Sequence, residues 1–225
     1  DTPQIDTPHG RRRLSLADYE YADLIDDQDK VRMLIDPTSS YAQAAAAGLG
    51  RAMDDVIIDA AIGTAKTGAS GSTSTVLPSG QKIAHGSAGL TIAKLISAKK
   101  ILDQNDIDPS IKRWIAVSPE QIEDLLNNTT VTSSDFNTVK ALATGEVNSY
   151  VGFEFIVTNR LDDDGTSRQV IAWAEDGITL AVGKDMSARI DERADKSYST
   201  QVYAAMSIGA TRMEEEKIVE IACNE

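Results

Sequence analysis

Tyr41, Ala45, Leu49, Ala52, Met53, Val56 and Ala60 recur at the spacing that stacks side chains along one face of an α-helix, with mostly small or polar residues between them. Asp36 stands ahead of this run as an N-cap and Pro37 as a pre-set first helical residue. The pattern predicts one alanine-rich helix over residues 36–65 with a single buried stripe. At about 1.5 Å per residue it spans roughly 40 Å, longer than a modest compact domain is wide. Such a helix acts as a beam.

The remaining patterns are shorter. RRRLSLADYEYA, residues 11–22, alternates in places, with Leu14 and Leu16 on one face, and reads as an extended strand or arm. Residues 66–89 are rich in Gly, Ser and Thr, which predicts a flexible surface loop with a short hairpin around Pro78 to Gly80 and a domain boundary. Residues 91–105 form a second helix, with Ile92, Leu95, Ile96 and Leu102 in phase. Trp114 to Val117 suits a buried strand, and Ser118, Pro119 and Gln121 make an S-x-x-Q capping box with Pro at the first helical position. Phe153, Phe155 and Val157 alternate along a strand, and Asp162 to Gly165 turns into a further strand, QVIAWA. Near the end, Met186, Ala188 and Ile190 alternate, then Val202, Ala204, Met206, Ile208 and Ala210, then a strand around Ile218 to Cys223. Three antiparallel strands close the protein. The order predicts an α+β chain in which both ends build one discontinuous domain and a mixed α/β domain is inserted between them.

Charge narrows the function classes. With 22 basic and 35 acidic residues in 225, the net charge is -13. A surface that grips nucleic acid phosphates needs Lys and Arg to release counterions, so sequence-specific DNA binding is not expected. Acidity keeps the protein soluble and lets it face packaged nucleic acid without adhering. No apolar run approaches the roughly 20 residues of a bilayer span, no signal-peptide core is present, and the reading is a soluble chain. Cys223 is the only cysteine, which excludes an intrachain disulfide or a thiolate metal cage and fits synthesis in a reducing compartment. The opening DTPQIDTPHG, without an initiator Met, implies residues upstream.

Catalytic constellations are missing. His9 and His85 lie in Gly- or Pro-flanked loops without a metal-spacing partner. HGSAG at His85 to Gly89 lacks the first Gly of a nucleophile elbow, and GTAKTG at Gly63 to Gly68 has the letters of a phosphate loop in the wrong order. Asp162, Asp163 and Asp164 lack the spaced oxygens and terminal Glu of a calcium loop and read as a hairpin turn. Glu214 to Glu216 reads as a solvated turn. No catalytic residue, cofactor site or metal site is assigned. Arg11, Arg12 and Arg13 form the one dense basic cluster; on a strand they alternate between faces, so at most two act together. Their candidate role is an intersubunit salt bridge to Asp23, Asp26, Asp27 and Asp29 of a neighbouring copy.

Long phrases, among them MLIDPTSSYAQAAAAGLGRAMDDVIIDAAIGTA, RWIAVSPEQIEDLL, VGFEFIVTNRL and DERADKSYSTQVYAAMSIGATRMEEEKIVEIAC, resemble the major capsid proteins of tailed bacteriophages, a podovirus-like and prophage group whose fold encapsulins share. The resemblance covers nearly the whole chain. It implies a peripheral domain of residues 1–65 and 184–225, holding a spine helix at 38–65 and the closing antiparallel sheet. It implies a flexible loop at 66–89 and an axial domain at 90–183. Residues 1–21 are then the returning half of an extended loop that lies over a neighbouring subunit. The implied role is a non-enzymatic subunit that self-assembles as hexamers and pentamers into an icosahedral shell around double-stranded DNA. Its implied place is the virion, after assembly in the host bacterial cytoplasm. Portal, scaffold and decoration proteins are implied partners, with DNA bound without sequence specificity and no membrane. Rival readings are an encapsulin-like nanocompartment shell and, from other classes, a small serine hydrolase using Ser87 and His85 or a monomeric acidic binding module.

Overall fold

Helix α1, Thr38–Ile62, is the longest helix of a computed structural model that describes residues 10–26, 38–127 and 149–225. Ahead of it lie β1, Arg12–Arg13, and β2, Ala17–Ile25. After it come β3, Ala65–Thr67, β4, Thr73–Thr75, and β5, Lys82–Ile83. The middle holds α2, Ile92–Gln104, β6, Arg113–Val117, α3, Pro119–Asn127, β7, Ser149–Tyr150, and β8, Phe153–Val157. Four strands finish the chain: β9, Ser167–Ala174, β10, Ile178–Arg193, β11, Ser199–Arg212, and β12, Ile218–Asn224. The chain divides into two compact units, one of Asp1–Leu14, Asp59–Thr179 and Thr211–Glu225, the other of Ser15–Ile58 and Leu180–Ala210.

The second unit is a helix on a sheet. β10, β11 and β2 form a three-stranded sheet in that order, with β2 antiparallel to β11 from Ala17↔Ile208 to Ile25↔Thr200. Ala45 and Leu49 of α1 pack with Ala204, Met206 and Ile208 of β11, and Tyr19, Tyr21, Ala52, Met53, Val56 and Leu180 close around them. The helical stripe therefore finds its partner in the alternating apolar face of β11, as periods of 3.6 and 2 require. The predicted caps Asp36 and Pro37 lie outside the described residues. Of the two readings of this segment, strand or arm, β2 takes the strand: it pairs with β11, and Tyr19 and Tyr21 turn inward while Asp18 and Glu20 stay exposed.

The first unit carries a six-stranded mixed sheet in the order β5-β12-β9-β6-β8-β7 and a small sheet β1-β3-β4. β12, expected beside β10 and β11, instead runs antiparallel to β9 and parallel to β5. Its residues Ile218 to Ile221 are all buried, the mark of a central strand covered on both faces rather than of a half-solvated one. The segment expected as a loop holds the β3–β4 hairpin and a 3₁₀ turn at Ser79–Gln81, so its turn lies at 68–72 rather than at Pro78. In α2, Leu95 and Leu102 are buried as expected, whereas Ile96 is 54% exposed and Lys94 takes a buried place. Thr91 caps α2 by accepting from the Lys94 amide.

The strand-to-helix turn at Ser118 follows the predicted box in one direction. The Ser118 amide donates to Gln121 Oε1 at 2.6 Å, while the Ser118 hydroxyl turns to Glu225 at 3.0 Å instead of to the helix. Gln121, wholly buried, gives its side-chain amide to the same carboxylate.

Candidate assembly surfaces

β1 pairs with β3 through Arg12↔Thr67 and Arg13↔Lys66. Strand alternation leaves Arg11 and Arg13 exposed and turns Arg12 inward. The Arg12 guanidinium donates to both oxygens of Glu215 at 2.6 Å, and its Nε donates to the Met213 carbonyl at 2.8 Å. Behind Glu215 stands Arg212, fully buried. Its terminal nitrogens donate to the carbonyls of Ala61 and Gly63 at 2.8 Å and of Thr75 at 3.0 Å, and its Nε lies 3.6 Å from Glu215 Oε1. Carbonyls at the end of a helix lack intrahelical partners and carry partial negative charge, so a guanidinium is the fitting cap for α1.

Glu215 thus lies between two guanidiniums. Burial pushes its carboxyl up, but the Arg12 hydrogen bonds and the charges of both arginines prevail and hold it below the usual glutamate range. Burial pulls Arg212 down, with Glu215 opposing. The acidic run is therefore no solvated turn at its centre: Glu215 is a half-buried ion-pair partner in a 3₁₀ turn, Glu215–Lys217. Arg12, expected at an intersubunit bridge, is engaged inside its own chain. The signal that separates it from Arg11 and Arg13 was the alternation itself; nothing in the sequence pointed to Glu215, more than 200 residues away.

The expected acidic partners are also partly engaged. Asp23 accepts from the Leu24 amide at 2.9 Å and the Tyr21 hydroxyl at 3.3 Å, and Asp26 accepts from the Ser199 hydroxyl at 2.6 Å. Asp27 and Asp29 lie outside the described residues. On the exposed side of the same sheet, a hydrogen bond to Glu20 raises the Tyr203 phenol above its ordinary range.

The residues weighed for chemistry serve turns and packing. His85 Nδ1 accepts the Ser87 amide at 3.1 Å across a turn in which Gly86 and Ser87 have φ of 56° and 54°. That geometry fastens backbone and does not present a hydroxyl to a base. Asp164 accepts from the amides of Ser167 at 2.7 Å and Thr166 at 3.0 Å, which lowers its pKa and closes the expected hairpin turn. Lys94 donates to the carbonyls of Ala88, Gly89 and Ala222 at 2.6, 2.8 and 2.9 Å, and burial lowers its pKa. Cys223 is buried and its thiol is pushed up to about 12, so it is no nucleophile. An open cleft of about 690 Å³ is lined by Lys99, Asp103, Lys112, Arg113 and Glu154, but Arg113 is committed to Asp103 at 2.7 Å. Among the described residues no group of three or more His, Cys, Asp or Glu is placed to hold a metal, and no helix is long and apolar enough to cross a membrane.

Comparison with known proteins gives a consistent result. The sequence profile of a family described as "Phage capsid protein" matches residues 1–225. No curated protein matches the chain. Among solved structures, one from Mycobacterium phage Che8 is similar at 20% identity and TM-score 0.68, over 91% of this chain and 70% of that one. The capsid structure of the cyanophage P-SCSP1u is similar at 19% identity and TM-score 0.70, over 100% and 78%. The SrpI encapsulin complex from Synechococcus elongatus PCC 7942 is similar at 8% identity and TM-score 0.59, over 94% and 74%. At these identities the structures establish a shared fold.

Proposed function

Because the chain belongs to the phage capsid protein family, we propose that it encloses double-stranded DNA in an icosahedral shell built of its hexamers and pentamers. It is a structural subunit of a bacteriophage capsid with the tailed-phage capsid fold, it associates with copies of itself, and its place is the virion. The family match over the whole chain carries the reading. α1 takes the spine role, because its stripe is the packing surface for β2 and β11. β2, β10 and β11 are assigned to a peripheral domain and the six-stranded sheet to an axial one, β12 joining the axial side by its pairing with β9. No reaction is assigned, since the family role is architectural.

Arg11, just ahead of β1, and Arg13 on it are exposed and are the arginines left in this cluster for contacts with Asp27 and Asp29 of a neighbouring copy. The net charge of -13 limits adhesion to packaged DNA. Portal, scaffold and decoration proteins are further partners, and assembly takes place in the host bacterial cytoplasm. Particles isolated from cells after nuclease treatment test the contents: protected double-stranded DNA supports a genome container. A co-purifying enzyme with no protected DNA supports the nanocompartment instead. Replacing Arg11 and Arg13 with Glu is expected to block assembly, and unchanged particle yield rejects that contact.

A further inference from the structure

Among the described residues β10 is a 16-residue strand at one edge of its sheet, and from Val182 to Arg193 every residue except Ser187 is exposed. An edge strand presents unpaired N–H and C=O groups that act as a template for another strand. Val182, Met186 and Ile190 are 49%, 46% and 48% exposed. They stand four residues apart, so they share one face, and their spacing is symmetric about Met186. Single exposed apolar residues are ordinary; a symmetric row along an open edge calls for a covering partner.

We propose that β10 pairs antiparallel with β10 of a second copy about a twofold axis at Met186. The proposal rests on the shell-subunit reading, which supplies identical copies at high local concentration. A twofold axis requires an isologous contact, in which each residue meets the one equally far on the other side of the axis. At Met186 this sets Met186 against Met186 and Val182 against Ile190, twice over, so the three residues of the row meet only one another. Lys184 then faces Ala188, Asp185 faces Ser187, and Arg189 faces Gly183. Asp185 then has two diagonal neighbours across the axis, Arg189, within reach of an ion pair, and Asp185 of the second copy, whose charge the two arginines offset.

Neighbouring registers lose this match. An axis at Lys184 or Asp185 opposes each to itself, and one at Ala188 sets Asp185 against Asp191. An axis at Ser187 sets Val182 against Glu192 and Ile190 against Lys184. Like charges directly opposite destabilise a strand pair, and an apolar residue facing a charge stays unsatisfied. Among these registers, the one at Met186 matches the row with itself and sets no like charges directly opposite.

Single-cysteine cross-linking tests it in the full chain, since buried Cys223 is out of reach of the edge. Directly opposed residues lie roughly 5 Å apart, close enough for a disulfide. Met186→Cys is expected to shift the chain to a covalent dimer under mild oxidant. Ala188→Cys, on the same face but opposite Lys184, is expected to stay monomeric. A mixture of Val182→Cys and Ile190→Cys is expected to give the mixed dimer, which reads the register directly. Shells seen by microscopy without a Met186→Cys dimer, or equal cross-linking at Ala188, overturn the pairing and leave the shell reading intact. A Met186→Cys dimer without shells supports the pairing and counts against the shell reading.

Discussion

β12 and β10 are both strands of the closing third of the chain, yet Ile218 to Ile221 of β12 are all buried whereas β10 beyond Ala181 is almost wholly exposed. β12 lies between β5 and β9 with α2 packed on it; β10 has β11 on one side and, among the described residues, no strand on the other. The same contrast holds for polar groups. In the unit of β12, buried Arg212, Lys94 and Gln121 each find partners within the chain. In the unit of β10, Val182, Met186, Ile190, Leu16 and Leu24 are left uncovered. Val76, Ile96, Ile156 and Val157 of the β12 unit are exposed as well, so what sets β10 apart is a row of such residues along an edge strand.

Breaking the unit of β12 is expected to have the largest effect. Arg212→Ala removes the cap from the carbonyls of Ala61, Gly63 and Thr75 and leaves Glu215 with one guanidinium. Removing one partner from such a buried network costs on the order of 3–5 kcal/mol. Both tryptophans, Trp114 and Trp173, belong to that unit, so urea unfolding followed by tryptophan fluorescence reads the loss. A cost near zero would show that the guanidinium does not hold the unit together.

Leu49→Ala strikes the other unit, opening a cavity between α1 and β11 at a cost of about 2–4 kcal/mol. Circular dichroism should show helix lost at lower denaturant while the tryptophan transition stays in place; a shift of both together would contradict separate units. A smaller effect is expected from pH. The folded pKa of Glu215 lies below its ordinary 4.5, so its stabilisation is complete above that value and is lost as pH falls toward the folded pKa. Glu215→Gln should weaken the acid dependence of the tryptophan transition, and an unaltered pH slope would remove Glu215 as its source. Smallest of all, Met186→Glu on the open edge should change unfolding of the unassembled chain by less than about 0.5 kcal/mol.

Local patterns were legible in the sequence where one element carries its own signal. The stripe on α1, the Gln121 half of the Ser118–Gln121 box and the Asp162 to Gly165 turn all rest on spacing within a few residues, and each is present. Partner choice was less legible. β2 read as a strand or an arm, because the alternation of ADYEYADLI shows a two-sided strand and not which strand it joins. β12 was grouped with β10 and β11 by order along the chain, and Glu220 in the middle of IVEIAC hid a strand that is covered on both faces. The Arg12–Glu215–Arg212 cluster joins the two ends of the chain, and no local rule reaches that far.

Negative-stain electron microscopy of the full-length protein expressed without other phage components tests the shell-subunit claim most directly. The account predicts closed particles, with rings of five and six subunits in the averaged images. A uniform population of monomers at every protein concentration and salt condition would contradict it.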